Sequence, residues 1–223
     1  MKHTYTKKEA VKIVIATAKE YNKLLEGVNY LFVYRNRQDN CVEYFETVFL
    51  PRNFQHLTGL EYVNTEGKVQ NSSIDFYNKC LKNILTEDEI RFKTDGTTPL
   101  KLQALPKLVN FLRFSKMTTL YNGVRPKLSM QRIAGPTNYC MGFIKDGDYY
   151  VPNSCLLEDI RNLGERPSQI LAILSKPVSD KSGLYNNIRY VAKGILLEKI
   201  QMPKALKEKI ILETHKKDTG DVY

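Results

Sequence analysis

Several residue types and motifs are scarce or missing in this 223-residue chain. It has no tryptophan, only three histidines, and four cysteines without a Cys-x-x-Cys pair or a histidine at zinc-ligand spacing. No Walker phosphate loop, dinucleotide fingerprint, His-Glu-x-x-His or Gly-x-Ser-x-Gly motif occurs. These absences argue against nucleotide hydrolases, Rossmann enzymes, zinc proteases and α/β-hydrolases. We therefore expect no cofactor and no metal site.

Long apolar runs are also missing. No segment reaches the length needed to cross a bilayer. Residues 1–30 do not form a secretory signal, because Lys12 interrupts the apolar stretch and no small-residue cleavage site follows. We expect a soluble, cytoplasmic protein without a membrane partner, whose thiols are reduced and mostly buried.

Acidic residues are outnumbered, with 24 Asp and Glu against 34 Lys and Arg, for a net charge of +10. Such a surplus favours an anionic partner, most commonly nucleic acid, although a solvated basic surface is the alternative. The densest segment, residues 113–132, contains no acidic residue, and aromatic side chains alternate with its cations. That pattern suits a phosphate backbone with stacked bases. The candidate RNA contacts are Arg113, Lys116, Tyr121, Arg125, Lys127 and Arg132.

The first fifty residues predict one helix and one hairpin. Apolar residues recur at helical intervals over 6–25, and Thr6 and Glu9 have the spacing of a capping box. Two segments rich in aromatic and β-branched residues, 30–35 and 41–50, flank a polar turn. The second segment mixes polar and apolar residues on both faces, which predicts that both faces are partly covered.

The remaining segments predict two more helices and several strands. Helical periodicity covers 73–85 and 99–115, and Pro106 is expected to kink or divide the second helix. Residues 138–154 have the Asp-Gly signature of a hairpin, and the apolar run 169–177 indicates a buried strand. The expected fold class is α+β, with a small antiparallel sheet packed against N-terminal and central helices.

The segment PRNFQHLTGLEY (51–62) contains the candidate for acid–base chemistry. His56 follows a predicted strand and precedes a turn, and an imidazole gains and loses protons near neutral pH. The alternative is that His56 bonds to the backbone and only fixes the turn. Arg52, Thr58 and Lys101 are candidate phosphate contacts, and solvated charges or a turn hydroxyl are the alternative for them.

Five segments together resemble a known family. These are NFQHLTGL (53–60), FYNKCL (76–81), PLKLQALPKL (99–108), YYVPNSCLLEDIR (149–161) and ILAILSK (170–176). They are similar to the fourth phage family of barnase–EndoU–colicin E5/D–RelE-like nucleases, found on phages and conjugative elements. The likeness runs over most of residues 8–200, and the order Phe-x-His-Leu-Thr-Gly is its most specific part.

The chain length predicts a single domain over residues 1–223. The resemblance implies a barnase-like, nuclease-like core over 1–200, to which the sequence adds a basic amphipathic C-terminal helix within 201–223. The implied activity is that of a metal-independent endoribonuclease of a mobile element, in which the RNA 2′-hydroxyl attacks the adjacent phosphate.

The resemblance also suggests roles for the catalytic candidates. His56 would act as acid or base, Thr58 would bond a phosphate oxygen, and Lys101 or Arg52 would neutralise charge. The second proton carrier stays open among Tyr121, Tyr150 and Glu158. RNA is the expected partner. The alternative is an anti-CRISPR-type inhibitor that binds a Cas effector or its guide RNA, with or without cleavage.

Overall fold

The computed structural model describes residues 4–123 and 128–212. The helices are α1 (Lys7–Leu24), α2 (Pro51–Thr58), α3 (Ser73–Leu81), α4 (Thr97–Ala104), α5 (Phe111–Phe114) and α6 (Lys204–Lys207). The strands are β1 (Val28–Arg35), β2 (Val42–Val48), β3 (Leu60–Tyr62), β4 (Ile90–Phe92), β5 (Met117–Leu120), β6 (Arg132–Gly135), β7 (Cys140–Asp146), β8 (Tyr149–Leu156), β9 (Ser168–Pro177) and β10 (Asn187–Val191).

Seven strands close into a barrel in the order β1-β2-β8-β7-β6-β5-β9, because β1 pairs with β2 on one side and with β9 on the other. Strand β10 pairs with β9 outside this ring, and β3 and β4 form a separate two-stranded sheet. The expected small antiparallel sheet packed against helices is therefore wrong. The closing contact pairs Asn29 with Lys176, and local sequence patterns do not encode so distant a pairing.

Several predicted elements are confirmed. Helix α1 has the capping box, in which the Thr6 hydroxyl accepts from the Glu9 amide while the Glu9 carboxylate accepts from the Thr6 amide. Strands β1 and β2 form the predicted hairpin, β7 and β8 form the second, and β9 is buried along most of its length. Local composition was sufficient to predict these elements because a cap, a hairpin turn and a continuous apolar run are each visible within a short segment. The strand partners of β9, in contrast, lie far away in sequence on β1 and β5.

One helix is divided as predicted, and one predicted turn is corrected. Pro106 divides the predicted helix, as expected, into α4, a 3-10 segment over Leu105–Asn110, and α5. The predicted turn around His56 is helix α2, which begins at Pro51 and ends at Gly59 in the left-handed conformation, with φ of 70°. His56 therefore lies in the last turn of a helix.

Successive side chains of β1 pack alternately into two separate hydrophobic clusters. Tyr30, Phe32 and Tyr34 belong to the main core, which also contains the buried faces of the helices. Leu31 and Val33 face a second cluster on the other side of the strand. Burial on both faces explains why β1 is apolar nearly throughout.

The C-terminal segment covers this second cluster. Leu197, Met202 and Leu206 pack there with Tyr185, whose hydroxyl donates to the Glu46 carboxylate at 2.7 Å. Within the described residues the predicted C-terminal helix is limited to α6, and residues 213–223 lie outside the described ranges. The division into a 1–200 core and a 201–223 helix stays a prediction. Across the described ranges, every helix is too short or too polar to serve as a membrane span.

Helices lie at one end of β1, β2 and β5, and loops lie at the other end, as a result of the order of elements along the chain. Helix α1 leads into β1, α2 follows β2, and α5 leads into β5, so these helices gather near one end. The β1–β2 turn, the end of β5 and the beginnings of β6 and β9 come together at the other end. This second end, the barrel mouth, contains an open cavity.

Candidate active site at the barrel mouth

The barrel mouth holds a cavity of about 350 Å³. Its lining includes both signs of charge, two tyrosines and several small polar side chains. The residues that bear on its chemistry are Tyr34, Glu43, Tyr121, Arg132, Glu165 and Arg166. We call this the barrel-mouth cavity.

Arg132 occupies the aromatic side of this cavity. Its guanidinium carbon lies 4.7 Å from the ring centroid of Phe45, 5.1 Å from that of Tyr34 and 5.6 Å from that of Tyr150. None of the ion pairs among the described residues involves Arg132, and its buried Nε has no hydrogen-bond partner there. The rings hold the cation by cation–π attraction, typically worth about 0.5–2 kcal/mol.

Glu43 lines the same cavity as this cation and is held there by two hydrogen bonds. Its carboxylate accepts a short hydrogen bond from the Tyr34 hydroxyl and a 2.7 Å bond from Asn36 Nδ2. Burial, opposed in part by Arg132 and reinforced by Glu43, raises the pKa of Tyr34 to about 12. Tyr34 therefore remains a donor at neutral pH and keeps the Glu43 carboxylate oriented.

The rim is formed by the loop that enters β9. Arg166 has φ of 45°, which is unusual for a residue with a side chain. Thr119 on β5 anchors this loop by donating to the Glu165 carbonyl at 2.9 Å. Gly164 packs so closely on β5 that an added Cβ would lie 2.4 Å from the Leu120 carbonyl oxygen. This hydrogen bond and the close packing of Gly164 on β5 hold the rim in place.

Tyr121 completes the lining. Its hydroxyl is buried and has no hydrogen-bond partner among the described residues, and burial raises the pKa of its phenol. Tyr121 and Arg132 are thus the two predicted RNA contacts that line this cavity. Arg125 and Lys127, two further predicted contacts, lie outside the described residues.

His56 lies elsewhere, beside a second cavity of about 360 Å³ that is also lined by Gln55 and Lys93. We call this the α2 cavity. Partial burial first, and the charges of Lys101 and Lys93 second, lower the pKa of His56. A neutral imidazole is therefore favoured near pH 7, which suits a base better than an acid.

The other three predicted catalytic residues are already engaged. The Thr58 side chain is buried, donates to the Gln55 carbonyl at 2.8 Å and accepts from the Leu60 amide, which favours a structural role. Lys101 Nζ donates to the His56 carbonyl at 2.7 Å, and burial lowers the pKa of Lys101 to about 8. Arg52, at the start of α2, pairs with Asp146 at 2.6 Å.

Arg113 and Lys116, the remaining predicted RNA contacts, are exposed at the other end of β5. The ten predicted site residues therefore do not converge on one place. His56, Thr58 and Lys101 meet at the end of α2, whereas Tyr121 and Arg132 share the barrel mouth.

Sequence reasoning missed Tyr34, Glu43, Glu165 and Arg166 as candidate site residues. One signal was available for Glu43. It lies two residues before Phe45 in β2 and therefore faces the same side of the strand as this main-core residue. A carboxylate on an apolar strand face needs a special partner or a function. For Glu165 and Arg166 no signal existed, because only barrel closure brings their loop to the mouth.

No group of three or more His, Cys, Asp or Glu side chains is placed to hold a metal ion in the described part of the chain. In comparisons with known proteins, neither the curated proteins nor the solved structures gave a significant match. A family profile matches residues 13–193, most of the chain, and confirms the family resemblance. The chain belongs to the phage Barnase-EndoU-ColicinE5/D-RelE-like nuclease 4 family.

Proposed function

We propose that the protein is a metal-independent endoribonuclease, carried by a phage or another mobile element, whose reaction centre is the barrel-mouth cavity. The observation that carries this proposal is an arginine that forms no direct ion pair among the described residues and lines the same cavity as a carboxylate held by two donors. Arg132 supplies the cation, and Tyr34 and Asn36 hold Glu43. Nuclease chemistry itself follows from the family, and RNA as the substrate is part of the proposal.

Glu43 and Arg132 meet two needs of a transesterification at phosphorus. One is a base for the proton of the 2′-hydroxyl, and the other is a cation for the charge that grows on the phosphate oxygens. Glu43 accepts the proton of the 2′-hydroxyl as its oxygen attacks phosphorus, and general-base catalysis typically contributes about 10²–10⁴-fold. Arg132 binds the non-bridging oxygens, because a guanidinium fork matches two phosphate oxygens and stabilises their growing charge. The bond between phosphorus and the 5′-oxygen breaks, the departing oxygen takes a proton from water, and Glu43 returns its proton to water. The products carry 2′,3′-cyclic phosphate and 5′-hydroxyl ends.

The test is RNA cleavage by the purified chain in EDTA, with the fragment ends analysed by mass spectrometry. Glu43→Gln is expected to lower kcat by about 10²–10⁴-fold, because the amide cannot take up the proton. Glu61→Gln is the matched control, since Glu61 pairs with Arg91 and lines the α2 cavity. Equal activity of Glu43→Gln and the parent would refute the assignment.

A second pair of variants separates the two cavities. Arg132→Lys keeps the charge but loses the bidentate fork, so cleavage should fall. The unfolding temperature is measured alongside to verify that the variant is folded, because three rings also pack on this side chain. His56→Ala should retain cleavage, because His56 lies in the α2 cavity. If His56→Ala loses cleavage and Arg132→Lys retains it, the reaction centre lies at the end of α2 and not at the barrel mouth.

The anti-CRISPR-type alternative, in its form without cleavage, predicts a different outcome of the same assay. A protein that only binds guide RNA or a Cas effector leaves the RNA at full length under all conditions. Intact RNA recovered from a stable complex would therefore replace the enzyme proposal by this alternative.

A further inference from the structure

Two of the predicted RNA contacts lie away from the barrel mouth, on a surface shared by α5 and β10. Lys116 Nζ is 3.7 Å from the ring centroid of Tyr190 on β10 and donates to the Arg113 carbonyl at 3.2 Å. The Arg113 guanidinium carbon lies 5.4 Å from the ring centroid of Phe114. We call Arg113, Phe114, Lys116 and Tyr190 the α5–β10 surface.

The charges of this surface are not neutralised. Arg113 and Lys116 are exposed, and none of the ion pairs among the described residues includes either of them. Phe114 leaves 43% of its surface exposed beside them. A single exposed ring is ordinary on a protein surface. Unpaired cations next to an exposed ring, however, match the two parts of a nucleotide, its phosphate and its base.

We propose that the α5–β10 surface binds single-stranded RNA and leads it toward the barrel mouth, an inference that rests on the proposed function. Lys116 immediately precedes β5, whose later residues, from Thr118 to Leu120, line the barrel-mouth cavity. At about 3.3 Å per strand residue, Lys116 and Leu120 are about 13 Å apart. About four stacked nucleotides span that distance.

The same contacts select a single strand over a duplex. A base stacks on Phe114 only when it is free of its partner strand, and the bases of a duplex are already stacked and paired. Arg113 and Lys116 then bind the phosphates on either side. This surface holds the substrate and takes no part in the reaction, so its loss weakens binding and raises KM without lowering kcat.

Binding is measured by fluorescence anisotropy with a labelled 2′-O-methyl RNA single strand, which lacks the attacking hydroxyl and stays intact. For single strands the slope of log K against log salt changes by about 0.7 per phosphate contact. The variant carrying Arg113→Gln and Lys116→Gln should therefore lose about 1.4 from the slope. Lys12→Gln with Lys23→Gln removes two exposed charges from α1 and is the matched control, with less than half that change.

Phe114→Ser tests the stacking part. Loss of one stacked base typically weakens binding by about 5- to 150-fold, and the salt slope should stay unchanged because no charge is removed. Unfolding temperatures equal to that of the parent verify that each variant is folded. If the double variant is unstable, Lys116→Gln alone, with an expected loss of about 0.7 in slope, replaces it.

Four results would overturn this inference. These are an unchanged slope in the Arg113 and Lys116 variant, an equal change in the α1 control, tighter binding of duplex RNA, or binding of anionic phospholipid vesicles without binding of RNA. The proposed function fails separately. A parent protein that binds the strand through this surface but never cuts unmodified RNA refutes the enzyme and leaves the surface in place.

Discussion

Gly164 is the position where a single added methyl group should disturb both stability and the candidate site. It lies directly before the rim residues Glu165 and Arg166. An alanine Cβ would lie 2.4 Å from the Leu120 carbonyl oxygen and 2.4 Å from Thr119 Cγ2, whereas ordinary contacts are 3.4–4 Å. The loop or β5 must therefore move by about 1 Å, which is a consequence of packing alone.

The expected cost follows from this overlap. Overpacking of a well-packed site typically costs about 1–3 kcal/mol. For a chain of this length each kcal/mol lowers Tm by about 2–4 °C, so Gly164→Ala should lower Tm by about 2–12 °C. RNA cleavage should fall as well, because the displaced loop carries the rim of the barrel-mouth cavity.

Thermal unfolding followed by circular dichroism measures this effect. Adding Thr119→Ser to Gly164→Ala removes the clashing methyl group but keeps the hydroxyl and leaves the Leu120 carbonyl in place, so it should restore only part of the loss. Gly142→Ala is the contrasting case, because its Cβ meets the flexible Met130 side chain and not backbone. A Tm of Gly164→Ala within about 1 °C of the parent would refute the reasoning.

Three further predictions test the surroundings of named groups. Lys101→Met should raise the pKa of His56, followed by NMR of the imidazole, because Lys101 lowers it now; an unchanged pKa would contradict this. Cys41 is the exposed thiol of the four, so a thiol reagent should label one group per native chain and four after denaturation. Tyr185→Phe should lower the free energy of unfolding in urea by about 1 kcal/mol, since Glu46 loses a donor; equal stability would argue against that bond.

The predicted elements that the structure confirms are those whose signals lie within a short segment of the sequence. The capping box of α1, the two hairpins and the buried strand β9 each depend on periodicity or turn chemistry within a short window. Pro106 likewise indicated where the central helix divides. The family segments spread along the chain were also sufficient to identify the nuclease family.

The candidate site could be predicted only in part. Tyr121 and Arg132 were selected because cations and rings alternate in 113–132, and both line the barrel-mouth cavity. Glu43 and Tyr34 were not selected. The pattern of a strand indicates which of its faces is buried, but it does not indicate which side chains of other strands lie opposite that face inside a barrel. The same limit explains why His56, the most conspicuous residue in the sequence, lies beside a different cavity.

The sequence by itself determined the family, the basic character and most of the local elements, since each depends on residue types and short spacings. Tertiary structure alone decided that β1 pairs with β9 and closes the barrel. That closure brings the ends of five strands to one mouth and places Glu43 and Arg132 in the same cavity. Its physical reason is that side chains alternate with a local period, whereas strand partners are selected by the packing of the whole chain.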